Sequence, residues 1–153
     1  MASRSTSKIW EYLGNLEKDK LSQALRSLAD IEQELANLEA SVVKMQEMKN
    51  EYLTKLNQAD SGQDIAIVEL TTSINFIGRI EEALRHSAAR RLELNKHLRQ
   101  AKQHCADRQV DVKKYAILGE KELKASALKD RQEEQKQADQ HATMSWLQRE
   151  SHS

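Results

Sequence analysis

The sequence predicts an all-α protein, a long two-helix antiparallel coiled-coil hairpin with an overhanging C-terminal helix. The chain contains no proline among its 153 residues, so the residue that most often ends or kinks a helix is missing. Apolar residues also recur every seven positions, and this periodicity breaks clearly only once, near Asp60. We therefore expect one coiled-coil domain over 1–153, with helix one at about 7–57, a turn at about 58–64 and helix two at about 65–147.

Helix one is expected to begin after Ser7, a suitable N-cap residue, and to carry a nearly unbroken apolar stripe. Only Lys49 interrupts it. Apolar residues at the a and d positions of successive heptads bury a narrow seam against another helix. The stripe consists of Leu21, Ala24, Leu28, Ile31, Leu35, Leu38, Val42, Met45, Lys49, Tyr52 and Leu56.

The predicted turn contains Gly62 within a cluster of Asn, Asp and Ser residues, which helix interiors avoid. Ser61 followed by Asp64 resembles a capping box for the second helix. Helix two has a weaker stripe, which Arg91 interrupts. Its members are Leu70, Ile77, Ile80, Leu84, Arg91, Leu94, Leu98, Ala101, Cys105, Val112 and Tyr115.

The second helix is longer than the first, so part of it lacks a partner in the hairpin. With the turn near Gly62, we expect Ser7 to lie opposite about Lys114, which leaves the residues beyond Tyr115 unpaired. That overhang is on the order of 50 Å long if it is helical. Its 130–140 segment is polar on every face, and we expect the overhang to become ordered against a partner.

The charge distribution favours pairing of the two helices within one chain. The totals balance at 24 basic and 24 acidic residues, which argues against bulk nucleic-acid binding. Residues 85–102 nevertheless carry six Lys or Arg and one Glu, whereas residues 17–34 carry five acids and three bases. The basic segment is therefore expected to complement helix one, and a nucleic-acid-binding helical hairpin is the alternative.

The sequence offers no set of residues typical of an enzyme or a metalloprotein. His97, His104 and Cys105 match no compact metal motif, so we expect no metal, cofactor or catalytic residue. Cys105 falls on the apolar stripe and is interpreted as a small core residue rather than a reactive thiol. The single cysteine, the short apolar runs and the start of the chain are typical of a cytoplasmic protein.

Met48 and Phe76 fall just outside the seam positions, near the turn. An exposed apolar ring on a thin coiled coil favours a partner-binding surface, and seam packing is the alternative. Around these residues, Lys49-Asn50-Glu51-Tyr52-Leu53-Thr54-Lys55-Leu56-Asn57 and Asn75-Phe76-Ile77-Gly78-Arg79-Ile80-Glu81-Glu82-Ala83-Leu84 resemble the FliJ family of flagellar type III export proteins. The later segment Glu134-Gln135-Lys136-Gln137-Ala138-Asp139-Gln140-His141-Ala142 is similar to the closing pattern of that family.

The resemblance implies a coiled coil similar to the stalk of rotary ATPases, peripheral to the inner membrane through its partners. It implies that the chain promotes assembly and activity of the export ATPase FliI, links it to the export-gate protein FlhA and handles export chaperones. The implied gate-binding residues are Met45, Met48, Tyr52, Phe76, Ile80 and Ala83. Contact with the ATPase ring is implied for the two termini of the chain, including the overhang residues Gln135, Lys136, Asp139, Trp146 and Leu147. Met48 and Ser87 depart from the family pattern.

Other interpretations of the same coiled coil remain open. The equivalent stalk of a virulence injectisome belongs to the same class and serves a different machine. A generic coiled-coil scaffold and a parallel homodimer are also compatible with the heptads.

Overall fold

The computed structural model describes residues 2–60 and 66–152, with side chains described for 6–58 and 66–152. Helix α1 spans Ala2–Asp60 and helix α2 spans Ile67–Ser151. These described residues contain no strand. The two helices pack against each other, so the predicted all-α two-helix hairpin is confirmed. No helix of the described residues is apolar enough over a sufficient length to cross a membrane.

The helix boundaries differ from the expected ones by a few residues. Because α1 begins at Ala2, Ser7 lies inside the helix and is not its N-cap. Helix α1 also continues past Asn57, since no proline or glycine stops it there. The predicted capping pair, Ser61 and Asp64, lies outside the described residues.

The predicted seam of α1 is confirmed, because every member of its stripe is buried or half-buried. Ala24 and Leu35 are the most buried, at 6% and 9% exposure. The interrupting residue, Lys49, places its Nζ atom 3.3 Å from Oε1 of Glu81 on α2. A lysine is accommodated at this position because its aliphatic stem packs in the seam while its charge reaches a carboxylate.

The seam of α2 follows the predicted stripe, with one exception. Leu94 is only 1% exposed, and Ile77, Ile80 and Cys105 are also buried. Arg91 is exposed at its stripe position. A guanidinium would lose hydration inside the seam, and Arg91 instead reaches outward to a carboxylate of α1.

The chain divides into two units, each containing a segment of α1 and a segment of α2. The terminal unit comprises Met1–Ser22 and Ala106–Ser153, and the central unit comprises Gln23–Cys105. The helices run antiparallel in the central unit. Glu34 of α1 pairs with Arg90 of α2, whereas Lys49, which comes later in α1, pairs with Glu81, which comes earlier in α2.

The terminal unit is also antiparallel, and its paired region is longer than expected. Glu17 pairs with Arg108, while the earlier Trp10 donates a hydrogen bond of 2.7 Å from Nε1 to Oε2 of the later Glu122. The prediction that α2 lacks an intrachain partner beyond Tyr115 is therefore wrong.

The register explains this correction. In the terminal unit Tyr115 lies opposite Gly14, whereas the expected register, in which Ser7 faces Lys114, would place Tyr115 opposite Thr6. Helix α1 continues to Asp60 and α2 begins only at Ile67, so the pairing is shifted toward later residues of α2. The overhang accordingly begins later. From residue 127 to residue 152 every described side chain is exposed except the half-buried Ser145.

Candidate functional site

A buried carboxylate lies in the seam of the terminal unit. Glu17 is 9% exposed and precedes Leu21 by one helical turn on the same face of α1. Its Oε2 atom accepts a hydrogen bond of 3.3 Å from Arg108 Nη1, and its Oε1 atom lies 3.3 Å from Lys20 Nζ. Since burying an unpaired charge is costly, this ion pair selects one alignment of α1 against α2.

Two aromatic rings and two glycines pack next to that pair in the terminal unit. The ring centroids of Trp10 and Tyr115 lie 6.0 Å apart. A Cβ atom added to Gly14 would lie 3.8 Å from Tyr115 Cβ, and one added to Gly119 would lie 3.6 Å from Trp10 Cβ. Each aromatic residue therefore lies opposite a glycine. The Trp10 indole on α1 is also hydrogen-bonded to Glu122 on α2.

The residues expected to contact an ATPase all lie on the overhang and are all exposed. Gln135, Lys136 and Asp139 share one face of α2, on which they line an open groove. Trp146 and Leu147 follow on the last turns and are 58% and 55% exposed. The rest of that groove is formed by Gln132, Gln140, Thr143 and Met144.

The aromatic residues near the turn of the hairpin form a pair across the two helices. The ring centroids of Tyr52 and Phe76 lie 4.6 Å apart, and both residues are half-buried. Lys55 places its Nζ atom 5.2 Å from the Tyr52 ring centroid, within cation–π distance. One part of the Phe76 ring therefore contacts Tyr52, and the rest is exposed to solvent.

The other four residues of the expected gate-binding surface differ in exposure. Met48 is 39% exposed, while Met45 and Ala83 are half-buried. Ile80 is only 5% exposed, so it supports this surface from the seam and offers little area to a partner.

Two strongly exposed apolar residues near the same cluster were not among the expected site residues. Ile67 and Val68 are 81% and 76% exposed. Val68 lines an open groove together with Tyr52 and Lys55. In the sequence, both residues belong to a short apolar run that does not follow the seven-residue spacing of the seam. That run could have indicated an exposed apolar surface.

The basic segment of α2 pairs with α1 as its charge predicts, although only in part. Arg90 donates hydrogen bonds of 2.6 Å to Glu34 and 3.0 Å to Glu93. The hydrogen bond to Glu34, followed by that to Glu93, raises the pKa of Arg90 above its ordinary value. Arg91 Nη2 lies 3.3 Å from Glu39 Oε1. The other four cations of residues 85–102 have no ion pair within the described part of the chain.

Cys105 and the imidazole groups form no metal-binding cluster among the described residues. Cys105 is a free thiol, 5% exposed in the seam, as its stripe position predicts. His97 and His104 are exposed. Within 6–58 and 66–152, no three His, Cys, Asp or Glu side chains are arranged to hold a metal ion.

Comparison with known proteins gives a family match over most of the chain. The family model described as "Flagellar FliJ protein" matches residues 11–151. That range includes α1 from Glu11 onward and the whole of α2 with its overhang. No curated protein and no solved structure matches the chain.

Proposed function

Because this chain belongs to the FliJ family of flagellar export proteins, we propose that it is the coiled-coil stalk that couples the export ATPase to the export gate. Members of the family are non-catalytic components of the flagellar export apparatus. In the proposed mechanism, the chain promotes assembly or turnover of the FliI ring and also binds FlhA.

The overhang of α2 is the proposed contact with FliI. An exposed helix that is polar on most faces gains little stability alone, and a partner that surrounds it would supply the missing contacts. Gln135, Lys136 and Asp139 offer hydrogen-bonding groups on one face. Trp146 and Leu147 add apolar anchors of the kind that dominate binding energy at interfaces.

The surface around Tyr52 and Phe76 is the proposed contact with FlhA. Its two rings are held against each other and remain partly open to solvent, so little conformational entropy is lost on binding. Met48 adds a flexible apolar side chain. We include Val68 in this surface because it lies in the groove beside Tyr52.

The remaining parts of the proposal concern location and further partners. A chain of this family would act in the cytoplasm and reach the inner membrane through FlhA. Export chaperones are further proposed partners.

The test is the ATP turnover of purified FliI titrated with the full chain and with a version that ends at Ser126. This end point preserves the hydrogen bond between Trp10 and Glu122, which a truncation at Tyr115 would remove. We expect stimulation by the full chain and little by the truncated one. Equal stimulation by both would exclude the overhang as the FliI contact, and stimulation by neither would contradict the stalk function.

A truncation also shortens the helix, so two double variants of the full-length chain serve as a matched comparison. Trp146→Ala with Leu147→Ala deletes the apolar anchors of the overhang. Leu25→Ala with Val43→Ala removes similarly exposed apolar groups from α1 of the central unit, away from both termini. Only the first pair should reduce stimulation of FliI.

A further inference from the structure

Four cations on α2 of the central unit are not neutralised by α1. Arg85, Lys96, Arg99 and Lys102 are exposed. None of them forms an ion pair with another described residue. The single acid in this stretch, Glu93, is bonded to Arg90. Residues 85–102 therefore carry an excess of positive charge although the whole chain is neutral.

An exposed leucine lies among these cations. Arg85, Leu92 and Arg99 are spaced by seven residues, so they share one side of α2. Lys96 lies one turn from both Leu92 and Arg99 on that side, and Lys102 lies one turn beyond Arg99. Leu92 is 75% exposed, among the highest values for a large apolar residue of the chain. We call these five residues the cationic patch.

The cationic patch borders an open groove between α1 and α2. The groove has a volume of about 620 Å³ and includes Leu92 in its lining. Ser87 and Ala88 are small, so they leave space between the two helices that larger side chains would fill. Its apolar lining also includes Val42 and Leu84.

We propose that this groove and the cationic patch bind an acidic amphipathic helix of a partner protein. Apolar residues of that helix would enter the groove and contact Leu92 and Ala88, which adds a third helix to the pair. Asp or Glu residues on its flank would pair with Arg85, Lys96 and Arg99. Glu34 and Glu39 of α1 already form ion pairs with Arg90 and Arg91. This segment of α2 therefore accepts carboxylates from a neighbouring helix.

Other anionic partners fit these observations less well. A helix that lies in a bilayer surface buries a wide apolar face, whereas the cationic patch has only Leu92 among four cations. Nucleic acid would contact the cations and would leave the exposed leucine and the apolar groove uncovered. The balanced total charge also disfavours a polyanion.

This site is separate from the proposed FlhA surface. In the seven-residue frame of α2, Phe76 and Ala83 lie on one flank of the seam, and Ala88 and Asn95 lie on the other. Loss of binding at the cationic patch would therefore leave gate binding intact, and the two proposals can fail independently.

The test uses a fluorescein-labelled synthetic helix with leucine at its a and d positions, glutamate along one flank at its e positions and glutamine at its g positions. Fluorescence anisotropy measures its binding to the full chain, with a lysine-flanked version as the comparison. We expect Arg85→Glu with Arg99→Glu to weaken binding at least about tenfold, and Leu92→Ala to weaken it by roughly fivefold. Lys44→Glu with Lys129→Glu makes the same change in charge elsewhere and should have little effect.

Circular dichroism of each variant checks that the helices are retained. The proposal is overturned if the acidic peptide does not bind, if the lysine-flanked peptide binds equally well, or if both pairs of charge reversals weaken binding equally. It is also overturned if phosphatidylglycerol vesicles or single-stranded DNA bind the cationic patch and the acidic peptide does not. A Leu92→Ala variant with unchanged affinity would exclude the groove as part of the site.

Discussion

Glu17 of α1 and Arg108 of α2 meet inside the seam of the terminal unit, with Oε2 and Nη1 3.3 Å apart. Both residues occupy positions that apolar side chains fill elsewhere in the heptads. A slip of one heptad would place Ala101 or Tyr115, instead of Arg108, at the seam position opposite Glu17, and neither side chain carries a positive charge. The ion pair therefore selects the register that apolar heptads leave open.

Removing one partner of this pair should destabilise the hairpin. We expect Glu17→Ala to lower the free energy of unfolding by about 1–3 kcal/mol, because the partly buried Arg108 guanidinium then keeps only the more distant Asp111 carboxylate, at 4.0 Å. Urea denaturation followed by circular dichroism measures the loss. The double variant Glu17→Leu with Arg108→Leu should recover most of it, and a double variant as unstable as the single one would contradict this explanation.

The hydrogen bond of Trp10 should contribute to the stability of the terminal unit. Trp10→Phe keeps an aromatic ring opposite Gly119 and removes the indole donor to Glu122. We expect a loss of about 1 kcal/mol in the free energy of unfolding. Glu122→Gln retains an acceptor and should cost less. Equal stability of Trp10→Phe and the unchanged chain would show that the hydrogen bond has no net effect.

Glycines in α2 should respond differently to substitution according to their surroundings. Apart from its chain neighbours and the backbone of its own helix turns, no described atom lies within 4 Å of a Cβ atom added to Gly78, so Gly78→Ala should stabilise the helix by roughly 0.5–1 kcal/mol. Gly119→Leu should destabilise it, since the side chain would displace Trp10. Thermal unfolding of both variants provides the measurement. A lower melting temperature for Gly78→Ala would indicate a contact at this position that the structure does not contain.

The aromatic pair near the turn should be required for gate binding and dispensable for ATPase stimulation. We expect Tyr52→Ala and Phe76→Ala each to weaken FlhA binding roughly tenfold or more, as removal of an aromatic anchor commonly does. Calorimetric titration of the cytoplasmic part of FlhA measures the affinity. Tyr12→Ala, an exposed tyrosine of the terminal unit, is the control. If the Tyr52 and Phe76 variants lost FliI stimulation and kept FlhA binding, the assignments of the two surfaces would be interchanged.

The overhang should exchange its amide hydrogens faster than the paired parts of the helices. Residues 127–151 have few buried contacts, while α2 around Leu94 is packed in the seam. We expect rapid exchange over the overhang in the isolated chain and slower exchange after FliI is added. Mass spectrometry of deuterated peptides resolves the two regions. Strong protection of the overhang in the isolated chain would mean that it folds without a partner.

Heptad periodicity was sufficient to predict the seam residues and the two-helix fold. Ala24, Leu35 and Leu94 are buried because a and d positions face the partner helix in any hairpin of this type. A lysine at the seam position of Lys49 is also compatible with the heptad pattern, because the aliphatic part of its side chain is apolar.

The register and the details of the surfaces could not be predicted in the same way. A heptad pattern is nearly unchanged when one helix slides by seven residues, so it could not reveal that Trp10 reaches Glu122. The heptads place Glu17 and Arg108 at seam positions, but charged residues usually belong to a solvated face, so the pattern did not predict that this pair is buried. The burial of Ile80 depends on the helix opposite, which the local sequence does not contain.

The two tryptophans of the chain lie in contrasting surroundings, so their intrinsic fluorescence reports separately on two parts of the protein. Trp10 is half-buried and hydrogen-bonded between the helices, whereas Trp146 is 58% exposed on the overhang. Iodide or acrylamide should quench Trp146 before Trp10, and the emission maxima of the two indoles should differ. Trp146→Phe and Trp10→Phe would isolate each signal, so docking of the overhang and opening of the hairpin could be followed separately without an attached dye.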